Sequence, residues 1–359
     1  MSESGRTQVA TGNIIGLGLI GGSIALALKR AGWTVRGEDA VPGRAEDALA
    51  RGIIDGVGLD PGAQLTVVAT PVGVLAHGVE RALAETVGVV TDVGSVKSPV
   101  TAAIRNERFV PGHPMAGSEL DGLDGADAAL FEGATWVLTP TDSTSDEAFA
   151  LVAGTVSSLG AEVVALAPES HDRLVAVVSH VPHLTAAALM GVAAQRSDEH
   201  AALLRLAAGG FRDMTRIASS RPGIWLDICE ENRTAILEGI DELVAGLGIL
   251  RASVAHGDRE TLHERLEAAR RARMNLPIKA GPIENLVEVR IPIPDRPGAA
   301  AEVFALSGDL GVNIFDFEVV HSVEGDKGIM VTVVRDEHVE IFRGGLIARG
   351  FKPAVLRLT

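Results

Sequence analysis

Gly16-Leu17-Gly18-Leu19-Ile20-Gly21 follows a run that reads as a strand and opens one that reads as a helix. In that context the glycines suit a dinucleotide. They permit a tight turn, close passage of backbone along a pyrophosphate and close helix–strand packing, while free N–H groups at the helix start face the anion. Asp39 lies 21 residues past Gly18, at the end of the second predicted strand, where a carboxylate accepts from both ribose hydroxyls and repels a 2′-phosphate. NAD is therefore expected, with NADP left open by Arg44 nearby. Glu38 is the competing acid; Asp39 is preferred because neighbouring side chains of a strand point to opposite faces. The expected cofactor set is Gly16, Gly18, Leu19, Ile20, Gly21 and Asp39, joined by Thr70 and Pro71 just past the strand predicted at Leu65–Ala69.

A nicotinamide accepts a hydride, and if that hydride leaves a carbinol carbon, a neutral base must take the hydroxyl proton. His113 sits in Pro111-Gly112-His113-Pro114-Met115-Ala116-Gly117-Ser118-Glu119, just after a predicted strand, where glycines and prolines fix a polar side chain at a sheet edge. The competing reading is a surface histidine. Ser95, in Asp92-Val93-Gly94-Ser95-Val96-Lys97, follows another strand end and is placed either to share a hydrogen bond with the base or to cap a helix. His180 and His183, three apart, resemble a metal pair. No further ligands with convincing spacing accompany them and Pro182 intervenes, so no metal is expected and either one is readable as a hydrogen-bonded core residue. Arg212 and Arg216 lie four apart, on one face if helical. They read as an exposed charged turn, or as bidentate partners for a substrate carboxylate.

The elements that must position these groups follow from periodicity. From Asn13 to about Ala167, short Val/Ile-rich runs alternate with Ala/Leu-rich helical segments, the pattern of a parallel sheet wound with helices. Strands are predicted at Gly12–Gly16, Thr34–Gly37, Leu65–Ala69, Val87–Asp92, Thr135–Thr139 and Glu162–Ala165. From Pro168 to about Arg273 the β-branched alternation gives way to helix-period spacing. Leu276–Asn285, with two prolines and one glycine, reads as a linker. Beyond it, a strand at Leu286–Ile293 and a helix at Gly298–Asp309 begin a β-α-β-β-α-β order. The expected fold class is α/β: a Rossmann-type domain at 1–168, an all-helical domain at 169–275, a linker at 276–285 and a ferredoxin-like α+β domain at 286–359.

Composition sets the outer bounds. The 359 residues are 47% hydrophobic, enough apolar material for two or three packed domains. With 32 Lys and Arg against 47 Asp and Glu, the formal charge is −15, which disfavours a phosphate-backbone partner such as nucleic acid. A single cysteine, Cys229, cannot close a disulfide within the chain, and a reducing, cytoplasmic setting is expected. The apolar run Ile14–Leu28 holds four glycines without a basic stretch before it, which argues against a signal peptide. Leu174–Ala194 is interrupted by Ser179, His180, Pro182 and His183, so a core or subunit-interface helix is expected there rather than a membrane span.

Taken in order, the Gly16 turn, Asp92–Lys97, His113–Glu119, Ser179-His180-Val181-Pro182-His183, Gly209–Ala218 and Trp225–Asn232 resemble the prephenate dehydrogenase family over nearly all of residues 10–275. That resemblance implies an NAD-linked oxidative decarboxylation of prephenate to 4-hydroxyphenylpyruvate, carbon dioxide and NADH, in a homodimer whose helical domains interlock. It implies His113 as the base at the ring C4 hydroxyl and Ser95 as its orienting partner. Arg216 would bind a substrate carboxylate, with His183 and Ser118 as further contacts, Glu119 as a gating or ion-pairing acid, and Arg212 as a basic neighbour. Arogenate dehydrogenation, which shares the ring chemistry, is the nearest alternative, and a non-catalytic NAD and amino-acid sensor is the alternative from another class.

The tail, with Pro294-Asp295-Arg296-Pro297-Gly298 and Gly311-Val312-Asn313-Ile314, resembles an ACT regulatory domain. The resemblance implies an amino-acid effector, L-tyrosine, held by Asp295, Pro297, Gly298 and Asn313. A purely structural dimerisation domain is the competing reading.

Overall fold

The structure, a computed structural model, describes residues 9–117, 120, 122–197, 206–274, 286–294, 296–321 and 327–357. The linker expected at Leu276–Asn285, and the candidate residues Ser118, Glu119 and Asp295, lie outside them. The chain divides into two compact units, Met1–Val244 and Ala245–Thr359.

The first unit opens with β1 (Thr11–Ile15), α1 (Leu19–Arg30), β2 (Thr34–Glu38), α2 (Arg44–Ala50), β3 (Gly56–Val57), β4 (Leu65–Val68), α3 (Leu75–Glu85), β5 (Val89–Asp92), α4 (Ser98–Ala103) and β6 (Phe109–Val110). These six strands form one parallel sheet in the order β3-β2-β1-β4-β5-β6. Helices cover both faces of such a sheet, and β4 is accordingly buried at all four residues. Ile14, Ile24, Leu28, Val35 and Leu65 close the core under α1, while Val68, Leu75, Val79, Val90 and Val100 close it under α3 and α4.

Two differences from the expected strand pattern matter for the site. The chain does not continue the same sheet after β6. Instead β7 (Gly112–Pro114) pairs antiparallel with β8 (Thr135–Leu138), which pairs parallel with β9 (Glu162–Ala165). The strands predicted at Thr135–Thr139 and Glu162–Ala165 thus belong to a second, three-stranded sheet. The very short β3, β6 and β7 also escape a reading based on alternation, because two or three residues carry no period. α5 (Asp146–Ser158) links β8 to β9 and is capped by Ser145, whose hydroxyl accepts from Ala148 N–H at 3.2 Å.

Helices follow: α6 (Pro168–Val175), α7 (Val181–Ser197), α8 (Gly209–Thr215), α9 (Pro222–Glu231) and α10 (Arg233–His256). Pro168 and Pro222 occupy first helical positions, where no N–H is needed. A single π turn, Ala176–His180, joins α6 to α7. The stretch Pro168–Arg196 is long and apolar enough to cross a membrane by length and composition, and a third of its apolar 18-residue segment is buried. Val96, Ala176, Ile228 and Ile236 form the cluster that fastens these helices to the loop after β5.

The last turns of α10 and α11 (Arg259–Met274) fall in the second unit. Its C-terminal part has the expected β-α-β-β-α-β order: β10 (Leu286–Pro294), α12 (Ala299–Asp309), β11 (Asp316–His321), β12 (Lys327–Arg335), α13 (Asp336–Ala348) and β13 (Ala354–Arg357). The strands form an antiparallel sheet in the order β11-β12-β10-β13. Alternate residues Val287, Val289, Ile291 and Ile293 of β10 meet Val303 and Leu306 of α12 and Val339, Phe342 and Leu346 of α13 in one core.

The glycine turn offers a direct test of this packing. A Cβ on Gly21 would stand 1.9 Å from the Gly16 carbonyl oxygen, whereas one on Gly18 would meet nothing within 4 Å. Gly21→Ala is expected to cost about 1–3 kcal/mol in thermal or denaturant unfolding, as overpacking does, and Gly18→Ala far less. Equal losses from the two variants would contradict the packing.

Candidate active site

The connections leaving β1 and β4 run to opposite sides of the sheet, so a crevice opens beyond the carboxyl ends of this neighbouring pair. Gly16 turns into it at φ 98°, with its Cα so close to the Ala69 carbonyl that a Cβ would lie 2.5 Å from it. Gly18 is the N-cap of α1 and provides no side-chain cap, which leaves first-turn N–H groups available to an anion. The space beside Gly18 is open, as close passage of a pyrophosphate along the backbone requires. Asp39 follows β2 directly; its carboxylate accepts from Leu17 N–H at 2.7 Å and Val41 N–H at 2.8 Å and pairs with Arg44 at 3.2 Å. Glu38, its rival in the sequence, is paired with Arg81. Thr70, at the mouth of the crevice, carries a buried hydroxyl without a partner among the described residues. Together these features fit a dinucleotide.

His113 lies on β7, opposite Val137 of β8. Its strand is drawn against β5 by a buried ion pair: Lys97 Nζ binds Asp92 and donates to the Gly112 carbonyl at 2.8 Å, and Asp92 accepts from Gly94 and Gly112 N–H. Glycine suits position 112, since a Cβ there would stand 3.0 Å from both the Asp92 carbonyl and the Trp136 indole nitrogen, tighter than ordinary contact. His113 Nδ1 lies 2.8 Å from His171 Nε2, and His171 Nδ1 lies 2.8 Å from Asp172 Oδ1. The Asp172 carboxylate also accepts from Lys97 N–H at 2.8 Å and Ser98 N–H at 2.7 Å, at the start of α4. A line of four groups thus runs from the α4 backbone through Asp172 and His171 to His113.

A second cluster adjoins the first. His183 stacks on Trp225 at 3.5 Å and 9°, and His180 meets the same ring edge-on at 6.1 Å. Asn232 donates to the Asp172 backbone carbonyl at 2.9 Å and faces His180 Nδ1 at 3.2 Å. The His180–His183 pair is therefore engaged by an amide and an indole, as core residues are.

The electrostatics favour neutral imidazoles. Enclosure in protein holds His113 well below its ordinary value, helped by His171, Lys97 and His180 close by. Burial lowers His183 and pushes His180 down to about 4. Burial alone would raise Asp172, but hydrogen bonds from His171, Ser98 and Lys97 hold its carboxyl below the usual range. A neutral imidazole supported by a fixed anion is equipped to take a proton.

The remaining candidates are distributed as follows. Ser95 is half-buried in the loop before α4; it does not cap that helix, and among the described residues no hydrogen bond joins it to His113. The group facing His113 Nδ1 is His171. Arg212 is exposed on α8 and donates to the Ala207 carbonyl at 3.2 Å. Arg216, also exposed, starts a 3-10 turn just past α8, so the two arginines do not share one continuous α-helix. His171 and Asp172, which complete the line to His113, are not singled out by spacing; their signal is a His-Asp dipeptide about one helical turn past the helix-starting Pro168.

Comparison with known proteins bears on the same residues. The family profile described as prephenate dehydrogenase, nucleotide-binding domain, matches residues 24–165, and the one described as prephenate dehydrogenase, dimerization domain, matches residues 167–268. The chain is similar to a prephenate dehydrogenase of Bacillus subtilis, 35% identical over 338 residues that cover 88% of this chain and 90% of the relative. Among solved structures it is similar to prephenate dehydrogenase from A. aeolicus in complex with hydroxyphenyl propionate and NAD+, at 31% identity and TM-score 0.71, covering 76% of this chain and 100% of that one. It is also similar to Synechocystis arogenate dehydrogenase, at 30% identity and TM-score 0.64, covering 73% of this chain and 98% of that one.

Proposed function

The chain belongs to the prephenate dehydrogenase family, and from that premise we propose that it oxidises and decarboxylates prephenate to 4-hydroxyphenylpyruvate, carbon dioxide and NADH. The observation that carries this reading is His113, held neutral and hydrogen-bonded on one ring nitrogen, in the same compact unit as the glycine turn and Asp39. NAD+, when bound, supplies the hydride acceptor. Gly16, Gly18, Leu19, Ile20 and Gly21 would hold its pyrophosphate, Asp39 its ribose, and Thr70 and Pro71 the wall of its crevice.

In the proposed reaction the ring C4 loses a hydride while His113 accepts the proton of the C4 hydroxyl. The bond from C1 to its carboxylate breaks, carbon dioxide leaves, and the electron pair completes the aromatic ring. The C4 oxygen then recovers the proton as a phenol, so the enzyme is returned with no net proton. Aromatisation drives the step, and the protein's share is placement: it must hold C4 and a neutral imidazole in line. Ser95 is assigned to orienting the hydroxyl, Arg216 to a substrate carboxylate, His183 and Ser118 to further contacts, Glu119 to gating and Arg212 to charge complementarity. A guanidinium suits this role because a chain of formal charge −15 otherwise repels a dianion. The likeness to an arogenate dehydrogenase supports a second reading, in which an amino group replaces the side-chain ketone.

The domains are assigned as 1–168 for the cofactor, 169–275 for substrate and subunit contact, 276–285 as linker and 286–359 as regulatory. Exposed Leu174, Val177, Val178 and Val192 on the α6–α7 stretch supply an apolar face for a homodimer. The β-α-β-β-α-β tail is read as an ACT domain in a cytoplasmic enzyme. Gly298, at φ 90°, caps α12 without a side chain, and Asn313 is exposed before β11. We assign Asp295, Pro297, Gly298 and Asn313 to an L-tyrosine effector.

Three outcomes test these assignments. NADH formation is expected with prephenate and NAD+ above arogenate or NADP+; no turnover with prephenate would overturn the reading. His113→Asn is expected to lower kcat by about 10²–10⁴-fold with NAD+ affinity nearly intact, and the acid limb of wild-type kcat/KM should lie below the ordinary imidazole range, because activity is lost only as His113 gains a proton. Tyrosine is expected to inhibit the full-length enzyme and to do so more weakly in Asn313→Ala; identical inhibition curves would remove that effector site.

A further inference from the structure

We propose that His171 is a positioning residue that fixes the tautomer of His113, placing hydrogen on Nδ1 and leaving Nε2 bare toward the substrate. The inference rests on reading His113 as the proton acceptor and adds the group that selects which nitrogen accepts.

The direction of the chain is set by an atom with no choice. A carboxylate can only accept, and Asp172 already receives two backbone N–H groups from the start of α4. His171 Nδ1, at 2.8 Å, must therefore carry a hydrogen. In a neutral His171 the lone pair is then on Nε2, which lies 2.8 Å from His113 Nδ1, so that nitrogen must carry a hydrogen in turn. The remaining lone pair falls on His113 Nε2. The alternative, an imidazolium at His171, would have Nε2–H donate to His113 Nδ1 and leave the hydrogen of a neutral His113 on Nε2, an outcome that 15N NMR distinguishes. Asn232 holds the Asp172 main chain, and the carboxylate cannot turn away without breaking its contacts with Lys97 and Ser98 N–H. His171, with no exposed surface, has both ring nitrogens committed, one to Asp172 and one to His113.

The test is NMR of full-length enzyme labelled with 15N-histidine, with His113→Asn used to identify the His113 signals. At neutral pH wild-type His113 is expected to show a protonated Nδ1 and a bare Nε2, and His171→Leu to replace that signature with the mixture of an unconstrained imidazole. In kinetics, His171→Leu should lower kcat by about 10²-fold, within the range a general base contributes, while leaving the KM for prephenate and the affinity for NAD+ within about twofold. His171→Gln should recover most of the loss, because its side-chain carbonyl reaches toward the position of Nε2 and accepts from His113 Nδ1–H. A wild-type His113 protonated on Nε2, or a Gln variant as slow as Leu, would overturn the proposal. Should His113→Asn itself turn over normally, the base assignment fails instead, a result the NMR spectrum does not depend on.

Discussion

The arrangement depends on one buried carboxylate. Asp172 sits at the start of the helical region, yet two of the three groups facing its carboxylate come from elsewhere, Lys97 and Ser98 N–H at the end of a sheet loop, and Asn232 just past α9 donates to its main-chain carbonyl. The third is its neighbour His171. A charge removed from water is tolerated only when its lone pairs are filled, and here the filling groups belong to elements that must be aligned for the site to exist. The same contacts that make Asp172 permissible therefore hold α6 against α4 and point His171 at His113. The nearby Asp92–Lys97 pair does the corresponding work inside the sheet, by drawing Gly112 and hence His113 toward β5.

The legible parts of the molecule are those whose physics is local. Gly16–Gly21 and Asp39 can be read because turn geometry and anion binding impose residue types at short, fixed spacing. The β-α-β-β-α-β tail can be read because β10 alternates cleanly and α12 follows a proline-glycine turn. The His113–His171 contact joins residues 58 apart and the Asp172–Lys97 contact residues 75 apart, and no period or motif window spans such distances. Proximity to a strand end points to Ser95 as a partner for His113; the fold in addition places His171 of α6 at His113 Nδ1, which no strand end signals. The division into two sheets was hidden for a related reason, since strand order is a property of pairing and each strand alone looks the same in either sheet.

The charge balance of the chain sharpens the chemistry. A surface with an excess of 15 negative charges discourages anions in general, so recognition of an acidic substrate has to come from a few aimed cations rather than from a diffuse field. Arg212 and Arg216, both exposed, are the guanidiniums proposed for that role, while Lys97, fully buried and paired, is spent on architecture. The separation of roles follows the chemistry of the two side chains: a planar fork for carboxylates, a compact ammonium for one carboxylate and one carbonyl.

The π turn between α6 and α7 has a geometric consequence. Nine residues of regular α-helix advance the side-chain direction by about two and a half revolutions, so His171 and His180 on an unbroken helix would face opposite ways. The wider winding of Ala176–His180 shifts that phase, and Asp172, Val175, Ala176, His180 and Val181 all come to lie on the buried side while Leu174, Val177 and Val178 stay outside. Rewinding the same five residues as regular α-helix would rotate everything after them by about 100° and carry the imidazole–indole stack away from its present side. The winding of these five residues thus sets where His180 and His183 face.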